Sequence, residues 1–181
     1  MDRSNTIRKL TMVALLLAIA LTLSIAESFI PFGVPGMKLG LANLVILLSI
    51  YYFGFWIPLA IDLARVVVAS LFTGTFLGMG FVMSLSGALL SFFLMYLGAR
   101  FLKKVFTPVG VSILGAYAHA LAQMFVAVLY LGSWGVFYYF PLMALTSLAT
   151  GTLNGFLVEA TLANRYLARV VSTVRWYSRE R

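Results

Sequence analysis

Hydrophobic residues occur along this chain in six long segments, which short polar or glycine-rich breaks separate. Most of these segments approach the ~20 residues that an α-helix needs to cross the hydrocarbon core of a bilayer. The alternation of apolar and polar positions that is typical of a membrane β-strand is absent. The pattern predicts an all-α membrane protein with six transmembrane helices, at about residues 8–26, 39–54, 56–72, 79–99, 109–131 and 138–162.

The composition supports this class. Of the 181 residues, 62% are hydrophobic and 10% are charged, whereas a typical soluble domain has roughly 45–50% apolar and 25% charged residues. The chain has no cysteine and one histidine, so disulfides are excluded and a metal site built from these residues is not expected. We therefore interpret residues 1–181 as a single integral membrane domain that ends in a basic cytoplasmic tail, residues 163–181.

Basic residues predict the orientation of the spans. All but two of the 13 lysines and arginines lie in three clusters, before the first span, between the fourth and fifth, and after the sixth. With six spans, all three clusters lie on one side of the membrane, which the positive-inside rule makes cytoplasmic. We thus expect a multi-pass protein of the cell membrane with both termini inside (N-in/C-in). The net charge of +8 then reflects topology and contacts with the lipid bilayer, and no nucleic acid partner is expected.

Two pairs of polar residues lie within the predicted spans. Asp62 and Arg65 are three positions apart, and His119 and Gln123 are four apart, so each pair shares a helix face. A charge at mid-bilayer costs at least about 2.5–3.5 kcal/mol on insertion scales, and it therefore pairs with another group or faces a cavity. Both pairs have two interpretations: packing between helices, or binding of a ligand.

Polar residues of several spans converge toward the outer leaflet in this topology. Such convergence in an apolar bundle predicts a small-molecule pocket that opens to the outside. The stretch ESFIPFGVPGMKLGLANL, residues 27–44, has the prolines and glycines of a compact loop, which would cover the pocket as a lid with Lys38 at its mouth. The predicted substrate-binding residues are Lys38, Asn43, Arg65, Ser84, Ser86, His119, Gln123 and Tyr139.

The sequence has few residues in arrangements that are typical of catalysis. It has no phosphate-binding loop of the G-x-x-x-x-G-K-[ST] type, so ATP hydrolysis by that route is excluded. Prenyl-diphosphate chemistry generally uses carboxylate clusters to hold magnesium, but the five acidic residues here are well separated. We therefore predict that the chain is not an enzyme and has no catalytic residue and no metal site.

Five stretches of the sequence carry a family resemblance: PGMKLGLANLVIL, LARVVVASLFTGTF, SLSGALLSF, GAYAHALAQ and YYFPL. Together they resemble the Gx transporter family, also called membrane heptaprenyl diphosphate synthase component I, over about residues 8–162. That family is similar in size and layout to the substrate-binding S components of energy-coupling factor (ECF) transporters. The resemblance implies a six-helix bundle with a structured first outer loop, and a small-residue face on the first helix that meets a coupling subunit. Ala14 and Ala18 match that face.

On this resemblance we expect an S component that depends on a coupling transmembrane subunit and two ATPase subunits. Its expected ligand is a flavin (riboflavin, FMN or FAD), bound for transport and not as a prosthetic group. Lys38 and Arg65 would hold a phosphate. The aromatic residues expected to stack on the flavin ring are Phe29, Phe32, Tyr138 and Tyr139.

Two other functions remain open. The first is a membrane subunit that binds an isoprenoid diphosphate or a quinone precursor in prenyl or menaquinone metabolism. The second is a membrane scaffold without a ligand. A bound flavin, a bound prenyl chain or the absence of any ligand in the purified protein would separate the three hypotheses.

Overall fold

The computed structural model describes residues 3–30 and 38–165 of the chain. These residues form six α-helices and one 3-10 helix, without any β-strand, so the predicted all-α class is confirmed for them. The helices are α1 (Arg3–Ser28), α2 (Asn43–Phe53), α3 (Trp56–Phe72), α4 (Met79–Phe101), α5 (Pro108–Leu131) and α6 (Phe140–Ala163), with the 3-10 helix at Trp134–Tyr139 between α5 and α6.

Four parts of the structure are long and apolar enough to cross a membrane: α1 from Thr6, α4, α5, and the stretch from Trp134 through α6. By contrast, α3 has 17 residues and α2 has 11, which correspond to lengths of roughly 25 Å and 16 Å at 1.5 Å per residue. Helices of spanning length support a membrane location. The six crossings and the cytoplasmic position of both termini stay predictions.

The second predicted span is partly wrong at its start. The prediction placed a helix over 39–54, whereas α2 begins at Asn43, and residues 38–42 form a non-helical segment that leads into it. Gly40 in this segment has a φ of +81°, in the left-handed region that ends or precludes a regular helix. The local apolar pattern alone could not reveal this difference, because a buried irregular segment is as hydrophobic as a buried helix.

Two other predicted features lie partly outside the described residues. The predicted lid includes residues 31–37, and the predicted basic tail includes residues 166–181; both ranges fall outside. Phe32, one of the aromatic residues expected to contact a flavin, belongs to the first of them.

The shortest α-helix, α2, lies at the centre of the bundle. It contacts all five other α-helices, and none of its residues is exposed. Around it, α5 packs most extensively against α4 and α6, while α1 packs against α3. The approach of α5 to α6 is close because Gly155 faces Val109: a Cβ at Gly155 would lie 2.4 Å from the Val109 Cα. Small residues of this kind allow helices to pack closely in lipid.

The outward faces of the bundle are apolar. Large hydrophobic side chains are exposed on α1, α3, α4, α5 and α6, among them Leu15, Leu63, Phe93, Leu129 and Leu145. So large an apolar surface would be unfavourable in water and is favourable against lipid tails. The distribution of exposed side chains therefore agrees with the hydropathy of the chain in indicating a membrane protein.

Candidate functional site

Polar side chains from all six α-helices meet around the start of α2 and form what we call the inner network. Its members are buried or partly buried in a bundle that is otherwise apolar, so each hydrogen bond among them offsets a desolvation cost. The inner network consists of Ser24 and Glu27 on α1, Asn43 on α2, Asp62 and Arg65 on α3, Ser91 on α4, His119 and Gln123 on α5, and Thr150 and Asn154 on α6, together with the backbone of residues 38–41.

Arg65 links the first three helices. Its Nε donates to Asp62 Oδ1 at 2.7 Å, and its Nη2 lies at the same distance from that oxygen. Nη1 donates to Ser24 Oγ at 3.0 Å, and Nη2 donates to Asn43 Oδ1 at 3.3 Å. The predicted pair of Asp62 and Arg65 is therefore present as a buried salt bridge. Contact between Arg65 and a ligand stays a prediction.

Asn43 extends this cluster to α4. Its Nδ2 donates to Ser91 Oγ at 3.1 Å, while its Oδ1 accepts from Arg65. Asn43 is the first residue of α2, so its amide connects the beginning of the central helix with both α3 and α4. Asn43 and Arg65, both predicted to bind a substrate, are thus in direct contact, and binding of a substrate by either stays a prediction.

Side chains of three helices bind the backbone of the non-helical segment (residues 38–42). At membrane depth, irregular backbone is tolerated only where the protein or water satisfies its polar groups. Here α1, α5 and α6 supply those partners. The contacts are Lys38 N–H to Gln123 Oε1 (3.2 Å), Thr150 Oγ1 to Leu39 O (3.4 Å), Asn154 Nδ2 to Gly40 O (3.2 Å), and Leu41 N–H to Glu27 Oε1.

The hydrogen bonds of Gln123 determine the tautomer of His119. Because Gln123 Oε1 accepts from Lys38 N–H, the amide nitrogen of Gln123 is the atom that faces His119 Nε2, at 3.0 Å. An amide nitrogen only donates, so His119 Nε2 accepts, and the proton of the neutral ring lies on Nδ1. Among the described residues, Nδ1 has no hydrogen-bond partner.

A glycine on α4 makes room for the His119 ring. A Cβ at Gly87 would lie 2.8 Å from His119 Cε1 and 2.9 Å from Nδ1, closer than real side chains approach. A side chain at position 87 would therefore force the imidazole to move from its position beside Gln123. The His119–Gln123 pair therefore depends on Gly87 as well as on its own spacing along α5.

Two charged residues belong to or contact the non-helical segment: Lys38 is its first residue, and the Glu27 carboxylate accepts from its Leu41 N–H. The Lys38 side chain is partly buried, and burial lowers its pKa, an effect that the carboxylate of Glu27 opposes and Arg65 reinforces. Glu27 is 1% exposed and lies in the last turn of α1. Glu27 is not among the substrate-binding residues predicted from the sequence.

The structure leaves other predicted residues outside the inner network. Ser84 is buried on α4 without a hydrogen-bond partner among the described residues. Ser86 Oγ donates to Met83 O in its own helix, at 3.1 Å. Tyr139 lies in the 3-10 helix and is 43% exposed. Two of the residues expected to stack on a flavin ring, Phe29 and Tyr138, are likewise exposed.

Sequence reasoning missed three side chains of the inner network: Ser24, Glu27 and Ser91. Ser24 and Glu27 are three positions apart on an otherwise apolar stretch of α1, and that spacing was a signal that could have identified them. Thr150 and Asn154 are four positions apart on α6, so they share a helix face. Their contacts with the backbone of Leu39 and Gly40 could not be inferred from the sequence.

The acidic residues do not form a metal site in the described part of the chain, where no three Asp, Glu, His or Cys side chains lie together. Of the described acidic residues in the inner network, Asp62 is bonded to Arg65 and Glu27 to the Leu41 backbone. The inner network thus combines one cation, Arg65, with two carboxylates and several hydrogen-bonding side chains, and the Lys38 side chain interacts electrostatically with Glu27.

Comparison with known proteins gives one match. A family model described as heptaprenyl diphosphate synthase component I matches residues 16–161, a range that contains every member of the inner network. Neither the curated proteins nor the solved structures contain a match to this chain.

Proposed function

We propose that this chain, which belongs to the heptaprenyl diphosphate synthase component I family, is a membrane subunit that binds an isoprenoid diphosphate or a quinone precursor derived from one. The observation that carries the proposal is the inner network, a buried cluster of charged and hydrogen-bonding side chains at the centre of an apolar bundle, with the partly buried Lys38 side chain beside it. The family description favours this function over the flavin-binding S component that the sequence analysis put first.

The two parts of such a ligand, the diphosphate and the prenyl chain, match two different regions of the protein. A diphosphate requires cations and N–H donors, for which Lys38, Arg65 and the backbone around Gly40 are the candidates. A prenyl chain requires an apolar surface, and the lipid-facing sides of the helices supply one. An amphiphilic ligand would thus have its head group in the inner network and its chain along the bundle.

We propose that the subunit binds its ligand without catalysing a reaction on it. Prenyl transfer generally requires magnesium held by clustered carboxylates, and no three Asp, Glu, His or Cys side chains lie together in the described part of the chain. A partner protein that carries such a cluster would perform the chemistry. In that arrangement the membrane chain would hold or deliver the lipid-soluble substrate.

The test is a comparison of ligands that differ only in the head group. The purified protein in lipid nanodiscs is titrated with farnesyl diphosphate, farnesol and FMN. Farnesyl diphosphate should bind at least tenfold more tightly than farnesol, because a charge-assisted hydrogen bond contributes about 1.5–3 kcal/mol. Equal affinities for the diphosphate and the alcohol would contradict the proposal, and preferential binding of FMN would favour the S component.

One observation supports the S component as a second candidate. Ala14 and Ala18 are exposed on α1, and only 17% of that span is buried inside the bundle. A free face with small residues can pack against another membrane helix, such as one of a coupling subunit that works with two ATPase subunits. Replacing both alanines with leucine should then weaken complex formation, whereas leucine at the exposed Ala149 and Ala160 of α6 should not.

A further inference from the structure

Four of the eight methionines of this chain lie in one core cluster between α4, α5, α6 and the 3-10 helix, which we call the methionine cluster. Valines and one phenylalanine complete it, and in the part of the chain that the structure describes it contains neither leucine nor isoleucine. Its methionines and small residues are Met79, Met83, Met124, Met143, Ala120 and Ala127.

The other core cluster of the bundle, which we call the leucine-rich cluster, has a different composition. It surrounds α2, is built largely from leucine and isoleucine such as Ile46 and Leu47, and among the described residues has one methionine, Met95. Branched side chains of this kind have well-defined rotamers and specify one packing, whereas the unbranched thioether side chain of methionine adapts to irregular surroundings. The two clusters therefore differ in how easily their side chains can rearrange.

The methionine cluster begins beside the inner network. Met124 directly follows Gln123 on α5, and both side chains are buried. On α4, Met83 is four positions before Gly87, the glycine that faces the His119 ring, so Met83 and Gly87 share a helix face. An apolar chain attached to a group in the inner network would reach the methionine cluster within one helical turn.

Two further observations at this cluster point to a ligand. Ser84 directly follows Met83 and is 5% exposed, yet its hydroxyl has no hydrogen-bond partner among the described residues, so it is available to a polar atom of a ligand. At the other end, Val136 of the 3-10 helix belongs to the cluster, while other residues of that helix line a surface groove of about 360 Å³. That volume is typical of small-molecule sites. The groove is lined by Trp134, Gly135, Phe137 and Tyr138.

We infer that the methionine cluster binds the prenyl chain of the ligand, with the isoprene units nearest the diphosphate between α4, α5 and α6 and the chain directed toward the 3-10 helix. The inference rests on the proposed function, for which it names the part of the bundle that recognises the chain. A prenyl chain has no polar atoms, so its binding depends on the burial of apolar surface. Methionine side chains can rearrange around such a chain, as they do at other sites that bind more than one partner.

Methionine methyl NMR tests the inference in the unmodified protein. Wild-type protein in nanodiscs is labelled with 13C-methyl methionine, and the signals are assigned by single Met→Leu substitutions. Farnesyl diphosphate should shift the signals of Met83 and Met124, whereas pyrophosphate, which lacks a prenyl chain, should leave them in place. Met95 is the control, because it is equally buried on α4 but belongs to the leucine-rich cluster. Its signal should not move with either compound.

Substitution provides a second measurement. Met83→Leu with Met124→Leu conserves side-chain volume but reduces flexibility, so the double variant should bind farnesyl diphosphate more weakly by about fivefold or more and pyrophosphate as wild type does. Met95→Leu should change neither affinity. The inference is overturned if farnesyl diphosphate leaves the Met83 and Met124 signals in place, or if the double variant binds it as tightly as wild type.

The two proposals can fail separately. If either of those contrary results is found while wild type binds farnesyl diphosphate more tightly than farnesol, the inference is wrong and the proposed function stands. If wild type does not bind farnesyl diphosphate at all, the proposed function is wrong, and the inference fails with it.

Discussion

At the scale of single residues, Arg65 shows how the bundle accommodates a charge. Its guanidinium is bonded to Asp62, Ser24 and Asn43, which lie on three different helices. The desolvation of a buried ion pair can exceed its Coulombic gain, so the pair need not stabilise the fold in net terms. Removal of only one partner is destabilising, because it leaves an uncompensated charge inside the bundle.

The first prediction follows for Asp62. Asp62→Asn should lower the free energy of unfolding by about 3–5 kcal/mol, since it leaves the Arg65 charge buried without its counter-ion. The double variant Asp62→Asn with Arg65→Gln should recover part of this loss, because neither charge remains. Denaturant unfolding in detergent measures the free energy of unfolding of both variants. A double variant less stable than Asp62→Asn alone would contradict the explanation.

The second prediction concerns His119, which is the single histidine of the chain and therefore gives one set of imidazole NMR signals. Nitrogen-15 NMR of histidine-labelled protein should show the neutral tautomer with its proton on Nδ1. In Gln123→Glu the carboxylate has no hydrogen to donate, so the proton should appear on Nε2. The same tautomer in both proteins would mean that Gln123 does not orient the ring.

A contact between site residues could be predicted only where the two residues lie close together in the sequence. Asp62 with Arg65, and His119 with Gln123, are spaced within one helical turn, so the sequence alone revealed both pairs. The partners of the non-helical segment are up to 114 positions away, as for Asn154 and Gly40. No local pattern encodes such a contact.

At the scale of elements, hydropathy located the regular helices well. The prediction for α3, residues 56–72, agrees with the structure, and that for α5 differs by one residue at its start. The helix predicted over 39–54 was wrong at 39–42, where side chains of other helices provide the hydrogen bonds that a helical backbone would make within itself. The pattern detects burial in apolar surroundings, and burial is common to both conformations.

The third prediction tests the left-handed turn that precedes α2. Gly40→Ala should destabilise the protein by about 1–3 kcal/mol through backbone strain, with an added cost because its Cβ would lie 2.9 Å from Asn43 Nδ2. Gly132→Ala is the control, because Gly132 has a φ of +62° in the left-handed helical region and no atom lies within 4 Å of the new Cβ. Thermal unfolding should rank Gly40→Ala as the less stable variant; equal midpoints would contradict a tight fit at Gly40.

At the scale of the whole molecule, the bundle surrounds a short central helix with longer ones. Four stretches have spanning length, and α2 with the non-helical segment before it occupies the interior. Interrupted helices at the centre of membrane proteins commonly line binding sites. The inner network, which is the proposed ligand site, lies at this central position.

The fourth prediction concerns topology. The chain has no native cysteine, so single cysteines at Asn5 and Ser178 provide unique labelling positions. Both should resist an impermeant thiol reagent in intact cells and react after the membrane is permeabilised. Labelling of only one of them in intact cells would indicate an odd number of crossings, contrary to the clusters of basic residues.

The central claim is that the inner network holds the head group of an isoprenoid diphosphate, and native mass spectrometry of the protein extracted from its own membrane tests it most directly. We predict a bound species whose mass and fragments correspond to a prenyl chain with a diphosphate, and its occupancy should fall in Lys38→Gln. A yellow preparation with a bound flavin, or a prenyl diphosphate that remains bound to the same extent in Lys38→Gln, would contradict the account.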